Sequence, residues 1–181
     1  MNGLLTGSKV YLRAIERKDV ELAWKYINNI DTYRNLSVGI PYPMNYDNEM
    51  DWYDAQRKQN NLYNFAICKK DDDLYLGGCG INKIDWNNRS CIVGIFIGED
   101  AMKGKGYGTE AMTLLLDFIF CQISVNRVEL RVFSFNERAF KSYLKNGFKE
   151  EGRLREAIFR NGAYHDEIVM SILRSEYEAR K

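Results

Sequence analysis

Residues Ile92 to Met112 read IVGIFIGEDAMKGKGYGTEAM. Ile92 to Gly98 is an apolar run of strand length, a short polar segment follows, and Gly104, Gly106 and Gly108 open a stretch with helical periodicity from Gly106 to Cys121. A strand running through a glycine-rich turn into a helix is a natural anion site. The glycines permit positive φ and close backbone approach, the first helical turn leaves N–H groups unpaired, and Lys103 and Lys105 add positive charge. A loop chosen only for tight turning is the plainer reading of the same glycines. Two common diphosphate motifs do not fit: GxxxxGK[ST] is absent because Thr109 and Glu110 follow Gly108, and the spacing is GxGxG rather than the GxGxxG of dinucleotide-binding folds. ATP and NAD both lose weight.

Outward from this stretch, the pattern changes on either side. Before it, Lys9 to Ile15 reads as a strand, and Asp19 caps a helix with Leu22, Ala23, Tyr26 and Ile27 on one face. A long loop, DTYRNLSVGIPYP, leads to a second helix from Asn45 to Gln59. A meander follows, with strands Leu62–Lys69, Leu74–Asp85 and Ser90–Gly98 separated by KDDD and WNNR. After the glycine-rich helix come a strand (Arg127–Ser134), a helix (Asn136–Lys145) and two further strands, Phe148–Phe159 and Tyr164–Leu173, around an Arg160–Gly162 turn. This predicts an α+β fold in one domain, residues 1–181. Its mixed central sheet, an antiparallel meander and then a parallel βαβ unit, is flanked by helices.

Composition narrows the function. The chain has 181 residues, 26 Lys plus Arg against 25 Asp plus Glu, and a net charge of +1, which argues against nucleic acid as a partner. Ala111 to Ile123 is too short and too polar to span a bilayer, and MNGLLTGSKV is not patterned as a leader, so a cytoplasmic protein without a membrane partner is expected. Cys68, Cys79, Cys91 and Cys121 lack metal-ligand spacing, and the one histidine, His165, is remote. The cysteines read as small buried residues in a reducing compartment, and no metal site is expected.

Two motifs together carry a resemblance. Lys103 to Gly108, KGKGYG, resembles the [QR]xxGx[GA] acetyl-CoA signature of the GNAT superfamily of N-acetyltransferases. Asn136 to Gly152, NERAFKSYLKNGFKEEG, is similar to the NxxAxxxYxKxGFxxEG segment of the branch containing ribosomal-protein alanine and spermidine N-acetyltransferases. Lys103 replaces the usual Gln or Arg, keeping a charge but losing planar geometry. The glutamate that some members place on the preceding strand has no counterpart in CIVGIFIG.

The resemblance implies acetyl-CoA as co-substrate and a site assigned residue by residue. Phe96, Ile97 and Gly98 would end a strand whose splayed backbone pairs with the pantetheine arm. Lys103, Gly104, Lys105, Gly106, Tyr107, Gly108 and Thr109 would supply the pyrophosphate cradle, and Asn136 would touch the cofactor. Asn136 also reads as an N-cap for a helix with Ala139, Phe140, Tyr143 and Leu144 on one face, and Gly147 as its stop. Tyr143 is the expected catalytic acid. A thiolate of reference pKa about 8.5 leaves, and a tyrosine near 10 can protonate it while remaining neutral at pH 7; packing in the core is the alternative role. Glu99, Asp85, Glu156, Asp166 and His165 are candidate bases, with none assigned.

The expected reaction is direct attack by a primary amine in a ternary complex, with a backbone N–H near Ile97 as oxyanion donor. The acceptor is a peptide N-terminus or a small amine. A polyamine is the alternative, although Asp47, Glu49, Asp51 and Asp54 also suit a solvated helical face. A homo-oligomer is compatible with this reading. A non-catalytic module that holds a CoA ester competes with it, and the intact Tyr143 speaks against that.

Overall fold

The computed structural model describes residues 5–36, 39–58 and 63–181. The strands are β1 (Val10–Ala14), β2 (Asn64–Lys69), β3 (Tyr75–Asp85), β4 (Ser90–Ile97), β5 (Arg127–Phe133), β6 (Lys149–Arg160) and β7 (Ala163–Leu173). They form one seven-stranded sheet in the order β1-β2-β3-β4-β5-β7-β6. Only β4 and β5 run parallel. That pair needs a crossover, and α4 (Tyr107–Gln122) provides it, whereas the antiparallel pairs β2–β3, β3–β4 and β6–β7 are joined by short turns. The β3–β4 turn is held by Asp85, whose carboxylate accepts from the Asn88 backbone N–H at 2.9 Å and from its side-chain amide at 2.8 Å. The expected meander and βαβ unit are both present.

Each face of the sheet has its own cover. On one, α4 buries Ala111, Met112, Leu114, Leu115, Leu116, Ile119 and Phe120, and α5 (Glu137–Lys145) adds Tyr143. On the other, Ala23 and Tyr26 of α1 (Val20–Ile27) pack on Ala66, Cys68 and Tyr75, and α3 (Tyr46–Arg57) lies on α1. Strand alternation divides β4 between the two: Ile95 and Ile97 face α4, while Phe96 faces α1.

Some expectations need correction. The loop after α1 begins with a helix, α2 (Ile30–Tyr33), because the Asn29 side chain caps it by accepting from the Asp31 and Thr32 N–H groups. Leu144 is exposed rather than on the packed face of α5, and Cys121 is exposed while the other three cysteines are buried. The expected helix end at Gln59 and strand start at Leu62 lie outside the described residues.

Candidate active site

The sheet opens where β4 and β5 part. They pair only at Ser90–Arg127, Cys91–Val128 and Ile92–Glu129. Beyond Ile92, β4 continues along β3 to Ile97, and β5 continues along β7 to Phe133. The Gly98 N–H donates to the Leu76 carbonyl at 2.8 Å, and the register places Phe96 opposite Gly78. The N–H groups of Phe96 and Gly98 therefore point at β3, and by alternation those of Ile95 and Ile97 point into the opening, where no strand among the described residues pairs with them. A cleft of about 590 Å³ fills this wedge, lined among others by Ile95–Ile97, Val132 and Phe133.

The glycine-rich loop forms one end of the cleft. Gly104 and Gly106 have φ of 77° and 89°, a backbone that side-chain-bearing residues rarely adopt. Among the described residues, no hydrogen bond uses the N–H groups of Gly104 through Thr109; the first N–H of α4 to be used is that of Glu110, donated to the Gly106 carbonyl at 3.0 Å. A run of unsatisfied donors at the positive end of a long helix is a cradle for a diphosphate. Lys103 differs from its neighbours in the loop. Its N–H donates to the Asp100 carbonyl, and its amine is held by Thr32 Oγ1 at 2.8 Å and by the Asp100 carboxylate. Its side chain thus ties the loop to α2.

Along the far wall runs α5. The Asn136 side chain accepts from the Ala139 N–H at 3.2 Å as an N-cap, and its residue lines the cleft, so the capping role and the cleft position coincide. Tyr143 is 8% exposed, packs edge-on against Phe148 and borders the cleft. Its hydroxyl has no hydrogen-bond partner among the described residues, and burial pushes its pKa up to about 12. The phenol is held neutral, with a proton to share, in the cleft that the Ile97 strand end also lines. The Gly147 N–H donates to Leu144 and the Phe148 N–H to Tyr143, closing α5 as expected of a glycine stop.

Residues 9–149 match the family model described as an acetyltransferase (GNAT) domain. The chain belongs to the GNAT acetyltransferases. It is 28% identical over 174 residues to the SPbeta prophage-derived uncharacterized N-acetyltransferase YokL of Bacillus subtilis, covering 96% of this chain and 94% of that protein. It is 30% identical over 173 residues to the spermidine N(1)-acetyltransferase of Vibrio cholerae, covering 94% of this chain and 96% of that one. The crystal structure of the Vibrio cholerae spermidine N-acetyltransferase in complex with CoA and spermine superposes with a TM-score of 0.86 at 28% identity, covering 95% of this chain and 99% of that chain. The protein is an acetyl-CoA-dependent N-acetyltransferase, and the open wedge and unpaired loop donors suit that co-substrate.

The acetyltransferase does not gather its candidate bases. Asp85 sits at the β3–β4 turn, at the closed end of the wedge. The Asp166 carboxylate accepts from the Glu156 N–H at 3.0 Å, holding a bulge in which Glu156 has φ of 53°. The His165 ring meets Phe135 at 4.8 Å. Glu99 lies nearer the strand end, where its carboxylate takes a 3.3 Å hydrogen bond from Tyr26.

One carboxylate was misplaced by pattern. Glu49 is buried at 4% exposure, while Asp47 and Asp51 are exposed. Burial raises its pKa to about 7. Glu49 stands four residues before Tyr53 and shares its buried face, which the i, i+4 spacing alone does not mark as buried. Among the described residues, no group of His, Cys, Asp and Glu is arranged to hold a metal ion.

Proposed function

We propose that the enzyme transfers the acetyl group directly to a primary amine, a small molecule or a peptide N-terminus, in a ternary complex, with Tyr143 as the general acid. The observation that carries this reading is the Tyr143 hydroxyl, without a hydrogen-bond partner among the described residues, in the same cleft that Ile97 lines. Phe96, Ile97 and Gly98 would line the thioester arm, and Gly104 through Thr109 would take the diphosphate. Lys103 would brace that loop and Asn136 would border it.

In this mechanism acetyl-CoA supplies an activated acetyl group. Ile97 N–H stabilises charge on the carbonyl oxygen as the amine nitrogen attacks. Tyr143 hydrogen-bonds the sulfur as the C–S bond breaks. A phenol near pKa 12 donates to a thiolate of about 8.5 only if its proton is replaced at once. The proton shed by the newly acylated nitrogen supplies that replacement, so the net transfer is from amine to thiol. The base that first deprotonates an alkylammonium stays unassigned.

The likeness to spermidine N-acetyltransferases supports a polyamine as one member of the acceptor class. We read residues 1–181 as one domain, and the free cysteines suit a reducing compartment such as the cytoplasm.

The test is release of free CoA thiol from acetyl-CoA with a panel of polyamines, other small amines and short peptides. Turnover with one class identifies the acceptor. Binding of acetyl-CoA without turnover on any of them would refute transfer to a primary amine and favour a holding module.

A further inference from the structure

We propose that Lys9, 96 residues before Lys105 in sequence, is part of the diphosphate site, and that Glu110 is the positioning residue that places it there. The proposal rests on reading Gly104 through Thr109 as the diphosphate cradle.

The side chain of Glu110 leaves the first turn of α4 and grips the start of β1. One carboxylate oxygen accepts from the Ser8 N–H at 2.8 Å and the Ser8 hydroxyl at 2.6 Å. The other accepts from the Lys9 N–H at 2.7 Å and the Val10 N–H at 2.8 Å. The segment before β1 lies tight against this carboxylate, since a Cβ at Gly7 would stand 2.6 Å from Glu110 Cδ. Burial raises the carboxyl pKa, but the donors from Ser8, Lys9 and Val10 outweigh it and hold Glu110 below its ordinary range. The clamp is therefore an anion at neutral pH.

Its consequence is the place of the Lys9 amine. Nζ donates to the Lys105 carbonyl at 3.0 Å, lies 3.3 Å from where a Cβ at Gly106 would stand, and sits 6.0 Å from the Tyr107 ring centroid. Among the described residues no carboxylate pairs with it. An ammonium has three donors, and a single bond to a carbonyl leaves two of them and the whole charge uncommitted beside the loop. Glu110 spends its oxygens on the backbone N–H groups of Ser8, Lys9 and Val10 and on the Ser8 hydroxyl. A cation held against the loop by a distant strand and left without a counter-ion is matched by a diphosphate arriving on the adjoining N–H groups.

Calorimetric titration with CoA and dephospho-CoA, alongside melting of the ligand-free protein, tests this in the native chain, Lys9→Met, Lys9→Arg, Glu110→Ala and the Lys9→Met/Glu110→Ala double variant. Lys9→Met is expected to weaken both ligands about tenfold, a typical loss for one charge-assisted hydrogen bond. It should leave the ligand-free melting temperature unchanged, and Lys9→Arg should restore most of the affinity. Glu110→Ala should weaken binding similarly, and the double variant should lose little more than either single one. Native-like binding of dephospho-CoA by Lys9→Met would overturn the proposal. So would a loss confined to CoA, which would assign the cation to the 3′-phosphate, or a fall in ligand-free melting that accounts for the loss. If the native protein binds neither ligand, the cradle reading fails and the proposal fails with it.

Discussion

The cleft and the α1–α3 face of the sheet are built from different materials. Around the glycine-rich loop and the β4 edge, the available groups are backbone N–H groups set free by strand divergence and by the first turn of α4. On the α1 and α3 face, the available groups are side chains: Tyr26, Tyr75, Phe96 and the buried carboxylate of Glu49. A backbone site needs particular φ angles and close approach, so it restricts residue types over several consecutive positions. A side-chain site needs one residue on each of several elements and restricts little locally. The contrast explains why the backbone cradle is easier to read from sequence than the side-chain cluster.

The largest expected effect comes from damaging the strand that holds the backbone site. A Cβ at Gly77 of β3 would stand 2.1 Å from the Phe96 carbonyl oxygen, with backbone on both sides of the clash. Gly77→Ala should cost more than about 3 kcal/mol in a urea melt, and a loss below about 1 kcal/mol would show that the β3–β4 edge can shift.

Tyr143→Phe separates chemistry from binding. It should lower kcat about 100-fold while leaving the affinity for CoA unchanged, as measured by thiol release and calorimetry. Because burial holds Tyr143 near pKa 12, loss of this acid should not lower the native kcat between pH 7 and 10.

Glu49→Gln probes the side-chain half. Its folded-state pKa is raised to about 7 from an ordinary 4.5, so folding favours the protonated form. The stability it contributes is fully present below about pH 4.5 and is lost as pH rises to about 7. Glu49→Gln should therefore raise stability by up to about 3 kcal/mol at pH 8 and by little at pH 4.5, read from melts at the two pH values. Equal effects at both would place the carboxylate in water or against a cation.

Gly106→Ala should have the smallest effect, weakening CoA about tenfold. A methyl group there strains a φ of 89° and approaches the Lys9 amine at 3.3 Å.

Much of this architecture was legible because the chain punctuates itself. The KDDD and WNNR turns mark the meander, Gly147 marks the end of α5, and the run from Ile92 to Met112 marks the strand, loop and helix of the cleft. The wedge was implied by the family resemblance rather than by residue pattern: Val93 to Ile97 look like any buried strand, and it is the pairing that shows where β5 leaves them. Helix α2 was missed because its one turn depends on the Asn29 cap rather than on periodicity. Glu49 was misread because alternating carboxylates on a helix look solvated unless the tertiary position of Tyr53 is known. The Glu110 clamp joins residues about a hundred positions apart, and no local spacing encodes it.

Whether the backbone of the loop holds the diphosphate is measured most directly by a ¹H–¹⁵N amide titration of the native protein with dephospho-CoA. The amide protons of Gly104 through Thr109, unbonded within the described residues, should move downfield together as they gain an anionic acceptor. Saturating ligand that shifts signals elsewhere and leaves these amides in place would contradict a cradle made of backbone.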